Sequence, residues 1–310
     1  ACNDHKLRVS LTQWIYNFDE VSSKRNYSSS ITCSKDGHAG WIRSMALTWD
    51  NFLLTASDDN EIKLWDPKTL ENLHTFTSHK DWVRCLAVLP NNNFVSASND
   101  KTLIVWDWQT KKSLRIFTAH DDEVHSVSAL RYPLIASGSK NGKIIIWNTE
   151  TLDIVQTCSG HSKTINALAR LSNDELISAS SDKTLKVWNI KTGECRLTLH
   201  GHTSDVNTVL VLSTTIVQSC STDTTVRTWN ISTGQCLDIF KEHKASVKAL
   251  VLVPTSGDVI SASSDNQIFI HAYSKSSSLL NRVGVFANPD SAIISSVSPQ
   301  NTRQTPQLEI

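Results

Sequence analysis

Histidine, a hydroxyl residue, aspartate and tryptophan recur together in this chain: His79, Ser96, Asp100 and Trp106; His161, Ser178, Asp182 and Trp188; His202, Ser219, Asp223 and Trp229. His38, Thr55, Asp59 and Trp65 form a fourth such set. Serine, histidine and aspartate are the members of a nucleophilic triad. An active site is assembled once, however, and a constellation repeated along a chain fits buried polar groups that satisfy one another. The chain is therefore expected to be no enzyme. Eleven histidines invite zinc, but six of them lie 41 residues apart and none is paired with another ligand at helical or knuckle spacing. The ten glycines are dispersed at turns without a phosphate-cradling loop. Neither metal nor cofactor is expected.

The constant interval says what must position these groups. His38, His79, His120, His161, His202 and His243 follow one another every 41 residues. Twenty-seven residues after the first five stand Trp65, Trp106, Trp147, Trp188 and Trp229, each followed by Asp or Asn. Such a period fixes the architecture before any local reading. In the fourth interval, 165–171, 175–180, 184–189 and 195–199 alternate or run apolar between Ser-Asn-Asp, Ser-Asp-Lys and Lys-Thr-Gly breaks, which predicts four strands. One four-stranded sheet of this length cannot bury both its faces, so successive sheets must pack face to face around a ring.

These residues resemble the WD-repeat family. Gly37-His38, Gly160-His161 and Gly201-His202 match its Gly-His outright, while Ser78, Ala119 and Glu242 replace the glycine, and the likeness is strong over about 31–272. It implies an all-β, seven-bladed β-propeller of four-stranded antiparallel blades, with blades at about 34–74, 75–115, 116–156, 157–197, 198–238 and 239–284. The seventh combines 285–310 with 1–33, since 308–310 continued into 1–9 matches 176–187 in its apolar positions and its turn aspartate, Asp4. N- and C-terminal strands would thus share blade seven and close the ring. Its outer strand is expected at 14–19, with 31–33 as the rival, and a six-bladed ring with frayed ends is the alternative.

The resemblance also implies a hydrogen-bonded chain in each blade, from indole to hydroxyl to imidazole to carboxylate. Blade three keeps His120, Ser137 and Trp147 but has Asn141 where the carboxylate belongs, so it should be softer. Blade six keeps His243, Ser261 and Asp265 but has His271 for tryptophan. In blade seven Asn288, Ile310 and Ser10 stand where His, Ser and Trp would be, so this blade should open first.

Thirty Lys plus Arg balance thirty Asp plus Glu, and no apolar run approaches the length of a membrane span. Membrane insertion is not expected and nucleic acid is a minor prospect. Seven cysteines, odd in number and without a C-x-x-C pair, suit reduced thiols in the cytosol or nucleus. The first residues, Ala-Cys-Asn-Asp, read as a processed start or a cut from a longer chain.

Recognition in WD-repeat proteins uses loops at one narrow end, at the third and fifth residues after the repeat histidine and the residue before the turn aspartate. Carried over, these are Trp41, Arg43 and Asp58; Trp82, Arg84 and Asn99; Glu123, His125 and Lys140; Asn166; Asn207; and Lys248. Tryptophan beside arginine is the composition of interface hot spots. The cations among them suggest a protein or peptide partner, acidic or phosphorylated. The leading expectation is an interaction scaffold or recognition module. A structural subunit using blade sides or the bottom face and, by family analogy alone, a ubiquitin-pathway adaptor are the alternatives.

Overall fold

The computed structural model describes residues 6–9, 33–118, 120–253, 256–273 and 280–287. Six antiparallel four-stranded sheets follow one another in chain order, each laid down as a meander. Their inner strands are Ile42–Leu47, Val83–Val88, Val124–Ala129, Ile165–Arg170, Val206–Val211 and Val247–Leu252, so the interval of the sequence is also the interval of the fold. Each inner strand lies beside that of the next blade, from the first to the sixth. The architecture is an all-β propeller.

Burial grades outward across each blade. The second strands are buried almost throughout, Leu53–Ser57 and Phe94–Ser98 without exception; in the latter, Phe94 packs toward blade one and Val95 and Ala97 toward blade three, so both faces meet neighbouring blades. Continuous apolar and small residues there, rather than strict alternation, follow from that double coverage. The outer strand Lys112–Phe117 is exposed except at its last residue. The core consequently lies between blades: Leu54, Phe76, Phe94 and Trp106 join blades one and two, and Val187, Leu199, Val209 and Trp229 join blades four and five.

Before blade one, Lys6–Val9 pairs antiparallel with Cys33–Asp36. The partner of 6–9 is thus the segment leading directly into His38, which extends the rival 31–33 reading rather than the preferred 14–19. Its placement follows the other blades, where Phe76 and Leu199 end outer strands three residues before His79 and His202. In blade six the outer strand Leu280–Ala287 runs past the expected boundary at 284, because it pairs along all of Gln267–Tyr273. The strands expected from 288–310 and 1–5, and the 14–19 segment, lie outside the described residues.

Candidate functional site

The polar chain is present in each complete set. Trp106 donates its indole N–H to Ser96 Oγ at 2.8 Å, Ser96 lies 2.7 Å from His79 Nε2, and His79 Nδ1 lies 2.8 Å from Asp100. His161, Ser178, Asp182 and Trp188 repeat it, as do His202, Ser219, Asp223 and Trp229. Thr55 takes the hydroxyl place between Trp65 and His38, with Asp59 on the far nitrogen. Since the indole can only donate, the hydroxyl proton is free to go to Nε2, and the imidazole donates from Nδ1 to the carboxylate. The imidazoles and hydroxyls are buried, so the chain holds the second and third strands, the turn between them and the preceding loop together rather than facing a substrate.

Each turn aspartate also accepts two backbone N–H groups, as Asp100 does from Lys80 and Thr102. Burial pushes these carboxyls up, but the imidazole and backbone donors outweigh it and hold Asp59, Asp100, Asp182 and Asp223 well below the usual carboxylate range. His38, Asp59 and Glu61 bring ligand atoms within 4.8 Å of one another. Both ring nitrogens of His38 are already engaged by Asp59 and Thr55, which leaves it no lone pair for a cation.

The two irregular blades differ as their residues require. In blade three His120 Nε2 meets Ser137 at 2.6 Å and Trp147 donates to the same hydroxyl, but Nδ1 of His120 is buried without a hydrogen-bond partner. The Asn141 carbonyl is taken by Ser139 and the Lys143 N–H. Burial, with Lys143 adding to it, pushes His120 down to about 4. In blade six His271 Nε2 lies 2.9 Å from Ser261 and substitutes for the indole donor.

The face expected to meet partners is organised by a feature that residue types did not reveal. In every inner strand the pairing register slips by one residue, between Ile42 and Ser44, Val83 and Cys85, Val124 and Ser126, Ile165 and Ala167, Val206 and Thr208, and Val247 and Ala249. The bulged residues are Arg43, Arg84, His125, Asn166, Asn207 and Lys248, the fifth after each histidine. A bulge re-aims its side chain out of the sheet's alternation. The remaining members are held alongside: the N–H of Asp58 donates to the Trp41 carbonyl, Asn99 to Trp82, and Lys140 to Glu123. A polar residue between an apolar strand start and a small residue is the signal that the sequence offers.

Blades one and two build a ladder on this face. Arg43 lies over Trp41 at 4.9 Å and over Trp82 at 5.6 Å, and Arg84 lies over Trp82 at 4.8 Å. Such stacking is attractive and fixes ring orientation. The indoles remain 43% and 40% exposed, too open to be rim packing alone. Asp58 grips Arg43 with both oxygens, and Asn99 Oδ1 accepts Arg84 Nε at 2.7 Å.

Elsewhere the expected cationic cluster is neutralised from within. Glu123 takes His125 at 3.0 Å and Lys140 at 2.7 Å. Burial, reinforced by Arg84 and Lys140 against the pull of Glu123, pushes His125 below its ordinary value. Asn166 and Asn207, expected as partner contacts, spend amide protons on the next blade: Asn166 on the Val206 carbonyl at 2.8 Å and Asn207 on the Val247 carbonyl at 2.6 Å. Their bulges aim them at the neighbouring inner strand, where a short amide reaches a backbone carbonyl. Lys248 is exposed. On the opposite end, Trp49 is half exposed while its indole donates to the Leu89 carbonyl, a surface aromatic that the periodic reading passed over.

The family described as WD domain, G-beta repeat matches six segments, 29–66, 70–107, 111–148, 152–189, 193–230 and 234–271, which together span most of the chain. No curated protein sequence matches the chain. Among solved structures it is similar to one titled as the crystal structure of RRP9 WD40 repeats, with TM-score 0.77, 21% identity, and 84% of this chain against 85% of that one. It is similar also to the structure of U3-55K, with TM-score 0.76, 21% identity, and 84% against 86%. At that identity the likeness speaks for the fold.

Proposed function

The chain belongs to the WD domain, G-beta repeat family, and from that premise we propose that it is a non-catalytic recognition module that seats a protein or peptide partner on the face of the inner-strand bulges. The exposed ladder of Trp41, Arg43, Trp82 and Arg84 carries this reading, because large aromatics anchored by cations at a loop surface are the usual centres of binding energy. The non-catalytic part is supported by the repetition of the Ser-His-Asp constellation and by the burial of the hydroxyl in each of the six described blades. Affinity capture with the wild-type chain and with Arg43→Glu/Arg84→Glu tests it. The double variant should stay folded and lose its partner, and unchanged capture would refute the reading.

A second reading, a subunit that packs by its blade sides, draws on exposed aliphatics of two adjacent outer strands: Leu114 and Ile116 in blade two, Ile154 and Val155 in blade three. Ile116→Lys/Val155→Lys would abolish capture on that reading and leave it intact on the first.

A further inference from the structure

The two arginines of the ladder differ by one acceptor. Asp58 offers two oxygens and takes both Nε and Nη2 of Arg43. Asn99 holds the same place in blade two but offers one oxygen, which takes Nε of Arg84. The other end of an amide is a donor and cannot accept a second guanidinium proton. The terminal nitrogens of Arg84 therefore have no hydrogen-bond partner among the described residues. Of the carboxylates near it, Asp58 is committed to Arg43 and Glu123 to His125 and Lys140, while Asp81 accepts the Trp82 N–H and acts on Arg84 only through its charge.

We propose that Arg84 binds a carboxylate of an acidic peptide partner through its terminal nitrogens, which Asn99 leaves without an acceptor, with the exposed Trp82 as the wall beside it. This rests on the reading of the face as a partner surface and names the chemistry of its occupant. Blade one is the internal template: the same bulge, the same residue two places before it and the same guanidinium, with the carboxylate already supplied by the chain. Arg43 is accordingly a positioning residue, its Nε and Nη2 held by Asp58 and its guanidinium lodged between the indoles of Trp41 and Trp82.

Charge selects the class of anion. The cations Arg43, Arg84 and Lys140 face the carboxylates Asp58, Glu123, Asp81 and Asp122, so the patch has no surplus positive charge before a ligand arrives. A carboxylate adds one negative charge and a phosphate ester nearly two, against the same single open guanidinium. A planar two-oxygen group also matches the fork that the two terminal nitrogens of a guanidinium present.

The probe is the tetrapeptide Gly-Glu-Phe-Gly, acetylated and amidated at its ends, titrated against the whole chain with NMR detection of the Trp82 indole N–H and the Arg84 Nε–H. Its Gln and phosphoserine counterparts serve as comparisons. The Glu peptide should move both signals, bind roughly tenfold or more tightly than the Gln peptide, and bind no more weakly than the phosphoserine peptide. Asn99→Asp supplies the missing acceptor from within and should weaken the Glu peptide by roughly tenfold while leaving Arg84, Trp82 and the melting temperature in place. Asp58→Asn should open Arg43 and add a second binding equivalent. Arg84→Lys, which keeps the charge and loses the fork, should weaken binding several-fold.

Equal binding of the Glu and Gln peptides, tighter binding of the phosphoserine peptide, an Asn99→Asp variant that binds as well as wild type, or no response to any peptide at millimolar concentration would each overturn the carboxylate assignment. Partner capture by the wild type and its loss in the double charge reversal are scored separately. A face that captures its partner while these peptides fail would retain its role and lose only this ligand class.

Discussion

Blades two and five have the same interior and opposite surfaces. The indole–hydroxyl, hydroxyl–imidazole and imidazole–carboxylate distances are 2.8, 2.7 and 2.8 Å in both. Both place a bulge at the fifth residue after the histidine. In blade two that residue is Arg84, stacked on an exposed indole; in blade five it is Asn207, tied to the Val247 carbonyl. The buried chain of bonds therefore sets the frame, and the identity of the bulged residue decides whether a blade is stitched to its neighbour or, on the function proposed above, open to a partner. Stability and recognition should be separable by mutation, and that separation can be broken or sharpened at several sites.

The largest effect is expected inside. His79→Ala and His202→Ala each strand a carboxylate and a hydroxyl, and each should cost about 3 kcal/mol in chemical denaturation. Equal losses in the two blades would support the shared frame. His120→Ala should cost less, roughly 1–2 kcal/mol, because no carboxylate is left behind; a loss as large as in blade two would contradict the role given to the turn aspartate.

Blade three offers the reverse experiment. His120 is pushed by burial to about 4 from an ordinary 6.5, so between those values the unfolded chain binds the extra proton. A depressed histidine contributes its stability above pH 6.5 and loses it as pH falls through the folded value, by up to about 3 kcal/mol at the acid end. Asn141→Asp should give Nδ1 its acceptor, flatten that slope and raise stability near pH 6 by roughly 1–2 kcal/mol. The aspartates of the intact blades act at lower pH, contributing fully above their ordinary 3.8 and losing their effect in stronger acid. A pH titration of denaturation midpoints that shows no difference between Asn141→Asp and wild type would break this part of the comparison.

The smallest effects lie on the face. Asn207→Ala should cost about 1 kcal/mol through its lost stitch and leave partner capture intact. Arg84→Gln should change stability by less than about 0.5 kcal/mol and weaken capture. The opposite assignment of the two phenotypes would reverse the functional reading of the two sectors.

Much of this was legible in the sequence because the interval of His38, His79 and their successors repeats a whole supersecondary unit, and a repeated unit repeats its hydrogen bonds. The absent carboxylate at Asn141 was legible for the same reason. The bulges were not, since register is a property of backbone pairing and Arg43, His125 and Asn166 share no chemistry beyond polarity. Nor was the stitching by Asn166 and Asn207, because it depends on a carbonyl of the next blade forty positions away in the chain, which neither residue announces. The partner of Lys6–Val9 went to Cys33–Asp36 because distance to His38 constrains an outer strand more than hydrophobicity does, and Cys-Ser-Lys-Asp has little of the latter.

Hydrogen–deuterium exchange of the chain with and without its captured partner tests the central claim most directly. The account predicts new protection on the bulge face of blades one and two, in 39–44, 58–61, 80–85 and 99–102, with the outer strands unchanged. Protection confined to the outer strands Lys112–Phe117 and Ile154–Cys158 would contradict it.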